Sequence, residues 1–180
     1  MASRLFFALW PDEDVVRELT QWAQRAHDRC GGRMMHPDTL HLTLAFLGQV
    51  DDDRIPGLRA LLCSRRWVGG PFTLDCYGRF RGPRIVWAGS SEFVPWLDRM
   101  HAALWRALTR LGFEGSGEPF RPHLSLLRQA DPQDLPAWPT PRPVVWAARR
   151  LVLVASTPRE SWSWYREIAA CDLSAPGGRG

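Results

Sequence analysis

A short pattern of residues occurs twice in this chain, and it sets narrow limits on the fold. Residues 41–44 read His-Leu-Thr-Leu and residues 123–126 read His-Leu-Ser-Leu. Each copy lies in an apolar run that predicts a β-strand, and each follows a predicted strand and helix in the same order. The first strands of the two copies begin near Arg4 and Arg84, which lie 37 and 39 residues before the histidines. This similarity indicates an internal duplication.

The remaining patterns predict how the two copies are arranged. Helices with one apolar face are expected to begin at Asp12, Asp51 and Ser91, and three more strands are expected late in the chain. The predicted fold is α+β, a two-lobed duplicated domain over residues 1–173, with antiparallel sheets lining a central cleft and helices packed outside. Two related units usually pack about a pseudo-two-fold axis, so we expect equivalent strands to meet. Residues 174–180 are predicted to be a disordered tail.

Composition favours one folded domain and argues against several classes of protein. The 180 residues are 45% apolar and include ten tryptophans, which is too much apolar surface for a disordered chain. There is no apolar run of membrane-spanning length and no pattern of a signal peptide, so we expect a cytoplasmic protein without membrane contact, and a monomer. Four scattered cysteines lack metal-ligand spacing and are expected to be reduced. The net charge of +4 suits an anionic partner.

The histidines and hydroxyls of the two copies are the candidate catalytic residues. Side chains alternate along a strand, so His41 and Thr43 share one face, and so do His123 and Ser125. With five histidines and 45% apolar residues, chance would give two such tetrapeptides in roughly 0.4% of chains. Two imidazoles that face one space suit general acid–base catalysis, because a histidine pKa of about 6.5 allows both protonation states near neutrality.

Paired His-x-Thr/Ser motifs in a duplicated chain of this length resemble the 2H phosphoesterase superfamily. They resemble in particular its RNA 2',3'-cyclic phosphodiesterase branch, also called the LigT or 2'-5' RNA ligase family. The matching segments are residues 4–11, 40–48 and 120–128, and Ser125 departs from the family pattern, which commonly has Thr there. The resemblance implies a hydrolase that opens 2',3'-cyclic phosphate ends of RNA to 2'-phosphomonoesters, with no cofactor and no metal.

The resemblance also implies roles for the four residues. His41 would be the proton donor and His123 the proton acceptor, although two nearly identical motifs do not settle these roles by themselves. Thr43 and Ser125 would donate hydrogen bonds to the non-bridging phosphate oxygens. The partner would be RNA with a 2',3'-cyclic phosphate end or a cyclic nucleotide, and weak 2'-5' RNA ligation would be a secondary activity.

Three further residues are candidate substrate contacts. Arg121 and Arg128 flank the second motif and could neutralise phosphate. Arg128 lies five positions after His123, however, so an unbroken strand would point it away. Phe46 lies five positions after His41 and is expected to pack in the core, with base stacking as the alternative.

Other side chains carry weaker hypotheses. Trp10, Phe80 and Trp162 could stack on a base. Loops at residues 78–84 and 112–119 are expected to govern substrate choice. The other histidines, which are His27, His36 and His101, are interpreted as structural or exposed. The run of aspartates at residues 51–53 is interpreted as a helix start, where acids oppose the helix dipole, rather than as a metal site.

Two other classes of function stay open at this point. One is a non-catalytic protein that binds RNA ends or nucleotides in the same cleft. The other is a metal-dependent phosphatase with His41 and His123 as ligands, although no cluster of carboxylates accompanies either motif. Within the 2H chemistry, a small cyclic nucleotide is an alternative substrate to RNA.

Overall fold

The computed structural model describes residues 1–160 and 162–177. It has the predicted α+β architecture, with three α-helices in these residues: α1 (Glu13–Cys30), α2 (Ile55–Cys63) and α3 (Pro95–Arg110). The strands are β1 (Ala2–Leu9), β2 (Arg33–Met34), β3 (Leu42–Asp51), β4 (Pro71–Leu74), β5 (Cys76–Phe80), β6 (Ile85–Gly89), β7 (Leu124–Arg128), β8 (Val144–Ala147), β9 (Arg150–Pro158) and β10 (Ser163–Asp172).

The main antiparallel sheet is nearly symmetric about its centre. Its strand order is β10-β9-β1-β3-β7-β6-β5, with β2 also paired to β7, and β4 pairs separately with β8. On either side of the central pair, β1 corresponds to β6 and β9 corresponds to β5. β3 and β7 pair through Leu42 and Leu124, the residues that directly follow the two histidines. The pseudo-two-fold axis therefore passes between the two motifs, as the duplication predicts.

The two long helices pack across this axis. α1 belongs to the first half of the chain but packs against β7, whereas α3 belongs to the second half but packs against β3. Along β1, Leu5, Phe7 and Leu9 enter the main core with these helices, and Phe6 and Ala8 enter a smaller cluster on the other face. Each large side chain buried in this way contributes about 1.5–3 kcal/mol. The alternation in β1 thus fixes which face of the sheet is left for a site.

Two helix starts differ from the sequence prediction, and the first is that of α2, which begins at Ile55 after a 3-10 turn rather than at Asp51. α1 begins after Asp12 and ends at Gly31, whose φ of +67° suits glycine. α3 begins at Pro95 instead of at Ser91, because the Ser91 backbone N–H and hydroxyl both donate to the Asp75 carboxylate, at 2.7 and 2.6 Å. Proline suits the first helical position, where no intrahelical bond from its nitrogen is needed. Among the described residues, no helix is long and apolar enough to cross a membrane.

The segment predicted as a tail begins with a residue that is held by the fold. Ser174 pairs in parallel with Val68, and its backbone N–H donates to the carbonyl of Trp67 at 2.9 Å. The rest of the predicted tail lies partly outside the described residues, since residues 178–180 are not among them.

Candidate active site

A cleft of about 390 Å³ lies where β3 and β7 meet. His41, Thr43, His123 and Ser125 all line it. Each histidine lies one residue before its strand, on either side of the pseudo-two-fold axis. The structure thus brings together the four residues that the sequence singles out, although they come from opposite halves of the chain.

Both imidazoles are oriented by the same kind of hydrogen bond. Nδ1 of His41 lies 2.7 Å from the carbonyl oxygen of Thr39, and Nδ1 of His123 lies 2.7 Å from the carbonyl oxygen of Arg121. In each case the carbonyl belongs to the residue two positions earlier in the chain. A carbonyl only accepts, so Nδ1 carries the proton and donates it. Nε2 is therefore the nitrogen available for chemistry in both rings.

Burial lowers the pKa of both histidines. The pKa of His41 is lowered from 6.5 to about 4, mainly by burial and further by the positive charges of His123 and Arg128. The pKa of His123 is lowered mainly by burial and further by the charge of Arg121. The hydrogen bonds to backbone carbonyls act in the opposite direction and stabilise the protonated rings. In the free protein both imidazoles are consequently neutral at pH 7.

Three aromatic rings surround His41. Trp10 stacks on its imidazole with 5.1 Å between ring centroids and an interplanar angle of 11°. Phe6 lies at 4.9 Å and 30°, and Tyr165 meets the ring edge-on at 5.4 Å and 88°. We call Phe6, Trp10 and Tyr165 the aromatic cage. The sequence suggested Trp10 only as a base-stacking residue. Trp10 and His41 lie far apart in the chain, so no local pattern indicates their contact.

His123 has a different set of neighbours. Phe80 meets it edge-on, with centroids 4.8 Å apart and an angle of 83°, and Trp87 lies at 6.0 Å and 53°. Trp87 in turn covers Gly78, where a Cβ atom would come within 2.0 Å of the indole ring. Any larger residue at position 78 would displace Trp87 from its place beside His123.

A β-bulge in β3 turns Phe46 into the cleft. Consecutive residues of β1 pair with Thr43 and Ala45, which leaves Leu44 as an extra residue. Leu44 and Ala45 are both buried, so the alternation resumes one position out of step. Phe46 then lines the cleft with 49% of its surface exposed, and the Arg4 guanidinium lies 5.0 Å from its ring. An unbroken strand would have placed Phe46 in the core, but Phe46 does not pack there.

β7 contains the matching bulge, which turns Arg128 into the cleft. Consecutive residues of β6 pair with Ser125 and Leu127, so Leu126 is the extra residue. Leu126 and Leu127 are both buried, and Arg128 lines the cleft. An unbroken strand would point Arg128 away from the cleft, but the bulge interrupts the strand and leaves Arg128 on the cleft side, where it was a candidate substrate contact. The two bulges occupy equivalent places, three residues after each histidine.

Arg121 is placed differently from the other candidate contacts. It is absent from the described residues that line the cleft. Its guanidinium lies 5.9 Å from the ring of Phe80, and its carbonyl accepts the hydrogen bond from His123. Arg121 therefore acts on the site through His123.

The cleft also has a basic rim that sequence reasoning did not identify. Arg4, Arg33 and Arg159 line the cleft together with Arg128, and Glu160 contributes a carboxylate. These arginines come from β1, β2 and the turn between β9 and β10. Their wide separation in the chain leaves no local pattern that could have shown them together.

The segments that border the cleft differ from the predicted loops. Residues 78–84 and 112–119 supply none of the lining side chains among the described residues. The hairpin formed by β9 and β10 supplies Ser156 and Trp162 instead, because β9 pairs with β1 and carries the hairpin to the cleft. His36 also lines the rim, in addition to its structural role of accepting from a backbone N–H at 3.3 Å.

The acidic run after β3 forms a helix start. Asp52–Arg54 is a 3-10 turn that leads into α2, and Asp52 accepts a hydrogen bond from the Ser3 hydroxyl at 2.8 Å. This agrees with the sequence interpretation. In the part of the chain that the structure describes, no three His, Cys, Asp or Glu side chains lie close enough to hold a metal ion. The four cysteines are free thiols.

Comparison with known proteins gives matches along nearly the whole chain. The LigT like Phosphoesterase family model matches residues 9–87. The RNA 2',3'-cyclic phosphodiesterase of Escherichia coli K12 is 35% identical over 71% of this chain and 72% of its own length. The RNA 2',3'-cyclic phosphodiesterase of Thermus thermophilus is 27% identical over 98% of this chain and 93% of its own.

The fold is shared as well. The crystal structure of E. coli LigT complexed with 3'-AMP matches this structure with a TM-score of 0.83 and 28% sequence identity, over 97% of this chain and 99% of that one. A relative 35% identical over 72% of its length, and a fold shared almost end to end, lead to one conclusion: the chain is a phosphodiesterase of the LigT-like phosphoesterase family.

Proposed function

We propose that this enzyme hydrolyses the 2',3'-cyclic phosphate at the end of an RNA to a 2'-phosphomonoester, by metal-independent catalysis with two histidines. His123 takes a proton from the attacking water, and His41 gives a proton to the departing 3'-oxygen. The observation that carries the proposal is the cleft on the pseudo-two-fold axis, into which each half of the chain presents one imidazole and one hydroxyl.

The protonation states of the two rings suit this chemistry. His123 is neutral in the free protein at pH 7 and can accept a proton at Nε2. His41 must carry a proton in order to donate it, but in the free protein burial, together with the positive charges of His123 and Arg128, keeps its pKa low. A phosphodiester anion bound beside the ring raises that pKa, because an opposite charge favours the protonated form. Substrate binding therefore prepares the acid, and the choice of His41 as donor follows the family resemblance.

The hydroxyls and Arg128 stabilise the phosphate as negative charge develops on it. Thr43 and Ser125 line the cleft beside the two histidines and can donate to the non-bridging oxygens. Arg128 adds a guanidinium, whose N–H groups form charge-assisted bonds to phosphate. These three side chains would act without a change in their own protonation.

The rim of the cleft favours an RNA chain over a cyclic mononucleotide. A cyclic mononucleotide carries one negative charge, whereas the rim adds three cations, Arg4, Arg33 and Arg159, to Arg128 and one carboxylate, that of Glu160. Each preceding nucleotide of an RNA supplies a further phosphate for such a rim. Phe46 and Trp162, both 49% exposed, provide faces on which bases can stack. Ligation to a 2'-5' bond would follow the same ring opening with the 5'-hydroxyl of a second RNA in place of water as the nucleophile, and it would be slower.

The test is hydrolysis of a short RNA with a 2',3'-cyclic phosphate end, and of 2',3'-cyclic AMP, in the presence of EDTA. The wild type should form the 2'-phosphate. His41→Ala and His123→Ala should each reduce kcat by about 100-fold or more, since each removes acid or base catalysis. His101→Ala is the matched control, because His101 stacks on Phe120 at 3.8 Å outside the cleft. We expect that variant to stay within about twofold of the wild type.

Each other outcome selects one of the alternatives. RNA binding without turnover of either substrate would make the protein a binding module. Turnover that EDTA abolishes would require a metal, and a higher kcat/KM on cyclic AMP than on the RNA would make small cyclic nucleotides the substrate class.

A further inference from the structure

The two histidines differ in the ring that lies against their faces. Trp10 lies nearly parallel to the imidazole of His41, at 11° and 5.1 Å. The aromatic neighbours of His123, Phe80 and Trp87, are inclined to it by 83° and 53°. A face-to-face contact brings the negative face of an indole against the imidazole, whereas an inclined contact does so less completely.

We propose that Trp10 is a positioning residue for the reaction, whose indole face fixes the imidazole of His41 and stabilises its protonated form. This inference rests on the proposed function, in which His41 donates a proton. It goes beyond that function because it assigns a role to a residue outside both motifs.

The contacts of His41 leave little freedom for the ring to turn. Nδ1 is held by the carbonyl of Thr39 at 2.7 Å, and Trp10 covers one face. Tyr165 abuts the ring edge-on and also contacts Trp10 at 6.0 Å and 89°. Rotation of the imidazole about its Cβ–Cγ bond would break the Nδ1 bond and the stack together. Nε2 therefore stays directed at the cleft.

The surroundings of His41 disfavour its protonation, so a neighbour that stabilises the protonated ring matters for proton donation. His123 precedes β7 and Arg128 ends it, and the positive charges of Arg128 and of protonated His123 disfavour protonation of His41. Tyr165, from β10, has a pKa raised by burial and is neutral at pH 7. Burial is the largest cause of the lowered pKa of His41, which is about 4. The face of Trp10 opposes these effects, because a cation over an indole is attracted by the ring quadrupole.

Two substitutions separate the electronic role of Trp10 from its bulk. Trp10→Leu keeps an apolar side chain but removes the aromatic face, whereas Trp10→Phe keeps a face of weaker quadrupole. We expect the pKa of His41 to be about 0.5 to 1 unit lower in Trp10→Leu than in Trp10→Phe. NMR titration of ¹³C-labelled histidines measures this difference, both in the free protein and with saturating inorganic phosphate. The pKa of His123 serves as the internal reference.

Kinetics provide a second measurement. With the acid less easily protonated, the alkaline limb of the kcat–pH profile should move to lower pH in Trp10→Leu. At pH 7, kcat should fall about three- to tenfold with KM unchanged, and Trp10→Phe should recover most of the loss. A residue that only stabilised the fold would lower the amount of active enzyme without moving the pH profile.

Phe80→Leu, beside the other histidine, is the control, and it should leave the titration of His41 unchanged. Equal His41 pKa values in the Leu and Phe variants would overturn the inference, and so would a higher value in Trp10→Leu, which would show that Trp10 acts mainly by excluding water. The titration does not depend on turnover, so an inactive wild type would count against the proposed function and leave the role of Trp10 to be decided by NMR.

Discussion

The two halves of this enzyme build the same backbone around their histidines and then surround it with different side chains. Each half binds the histidine Nδ1 to the carbonyl two residues earlier, and each inserts one extra residue three positions after the histidine. Beyond the bulge, one half presents Phe46 and the other presents Arg128. One imidazole is stacked on Trp10, and the other lies edge-on to Phe80. The two halves thus share the backbone geometry around the histidine but differ in the side chains that lie near it.

This comparison suggests how a symmetric scaffold can carry an asymmetric reaction. An acid and a base need the same orientation towards the phosphate but opposite protonation states. The backbone devices supply the common orientation. The surrounding side chains then have to supply the difference, and it is there that the halves have diverged.

The largest expected effect is on the pH dependence of the free energy of unfolding, to which the two histidines should contribute unequally. Because the folded protein lowers the pKa of His41 from 6.5 to about 4, the unfolded chain binds a proton more readily between these values. The free energy of unfolding should therefore decrease as the pH falls from about 6.5 to about 4, by about 3 kcal/mol from this residue. His41→Gln should remove this part of the pH dependence, as measured by urea unfolding at several pH values.

His123→Gln provides the comparison for that experiment. The pKa of His123 is lowered in the same direction by the same main cause, burial, but less far. The substitution of His123 should therefore remove a smaller part of the pH dependence of the free energy of unfolding. Identical pH dependences in wild type and His41→Gln would show that the two sites are electrostatically alike.

The next effect tests whether the two hydroxyls are equivalent. Thr43→Val and Ser125→Ala each remove one donor to the phosphate oxygens, and each should lower kcat by about 100-fold. Thr43→Ser and Ser125→Thr keep the hydroxyl and should stay within about threefold of the wild type, because only a methyl group changes. Steady-state kinetics on the RNA substrate measure all four. A loss at one hydroxyl alone would mean that the phosphate sits towards one half of the cleft.

The smallest effect compares the two arginines of the second motif. Arg128 reaches the cleft through the bulge, so Arg128→Gln should lower kcat/KM by about 10- to 30-fold, since a bond to a charged phosphate is lost. Arg121 acts through its backbone carbonyl and its contact with Phe80, so Arg121→Gln should cost about threefold or less. The ratio of the two kcat/KM values is the measurement. A greater loss for Arg121→Gln would mean that its side chain moves into the cleft when substrate binds.

The sequence predicted the parts of this molecule that depend on repetition and on local pattern. The duplicated strand–helix–strand order, the meeting of the two motifs and the acidic helix start after β3 could all be read from residue spacing. The start of α3 could not, because Ser91 is hydrogen-bonded to Asp75, the residue between β4 and β5. The sequence does not distinguish a serine that caps a helix from one that is hydrogen-bonded to a residue distant in the chain.

The surroundings of the site could not be predicted for two physical reasons. Strand alternation gives no sign of a bulge, and a single extra residue reverses the direction of every later side chain. This is why Phe46 and Arg128 lie on the side opposite to the expected one. The second reason is distance along the chain, because Tyr165 and Arg159 reach the cleft only through the pairing of β9 with β1.

The exchange of helices across the axis bears on how such a chain could have arisen. A half-chain that ended near the exposed turn at residues 81–84 would carry α1 but not β7, the strand against which that helix is buried. Two copies of such a half-chain could each bury the other's helix by domain swapping. They would then form one cleft with a single histidine from each copy. The present molecule has the architecture of a domain-swapped homodimer joined into one polypeptide. Gene fusion would have made the partner permanent, and after it a substitution beside one histidine, for example at the position of Trp10, could alter that histidine without altering its counterpart.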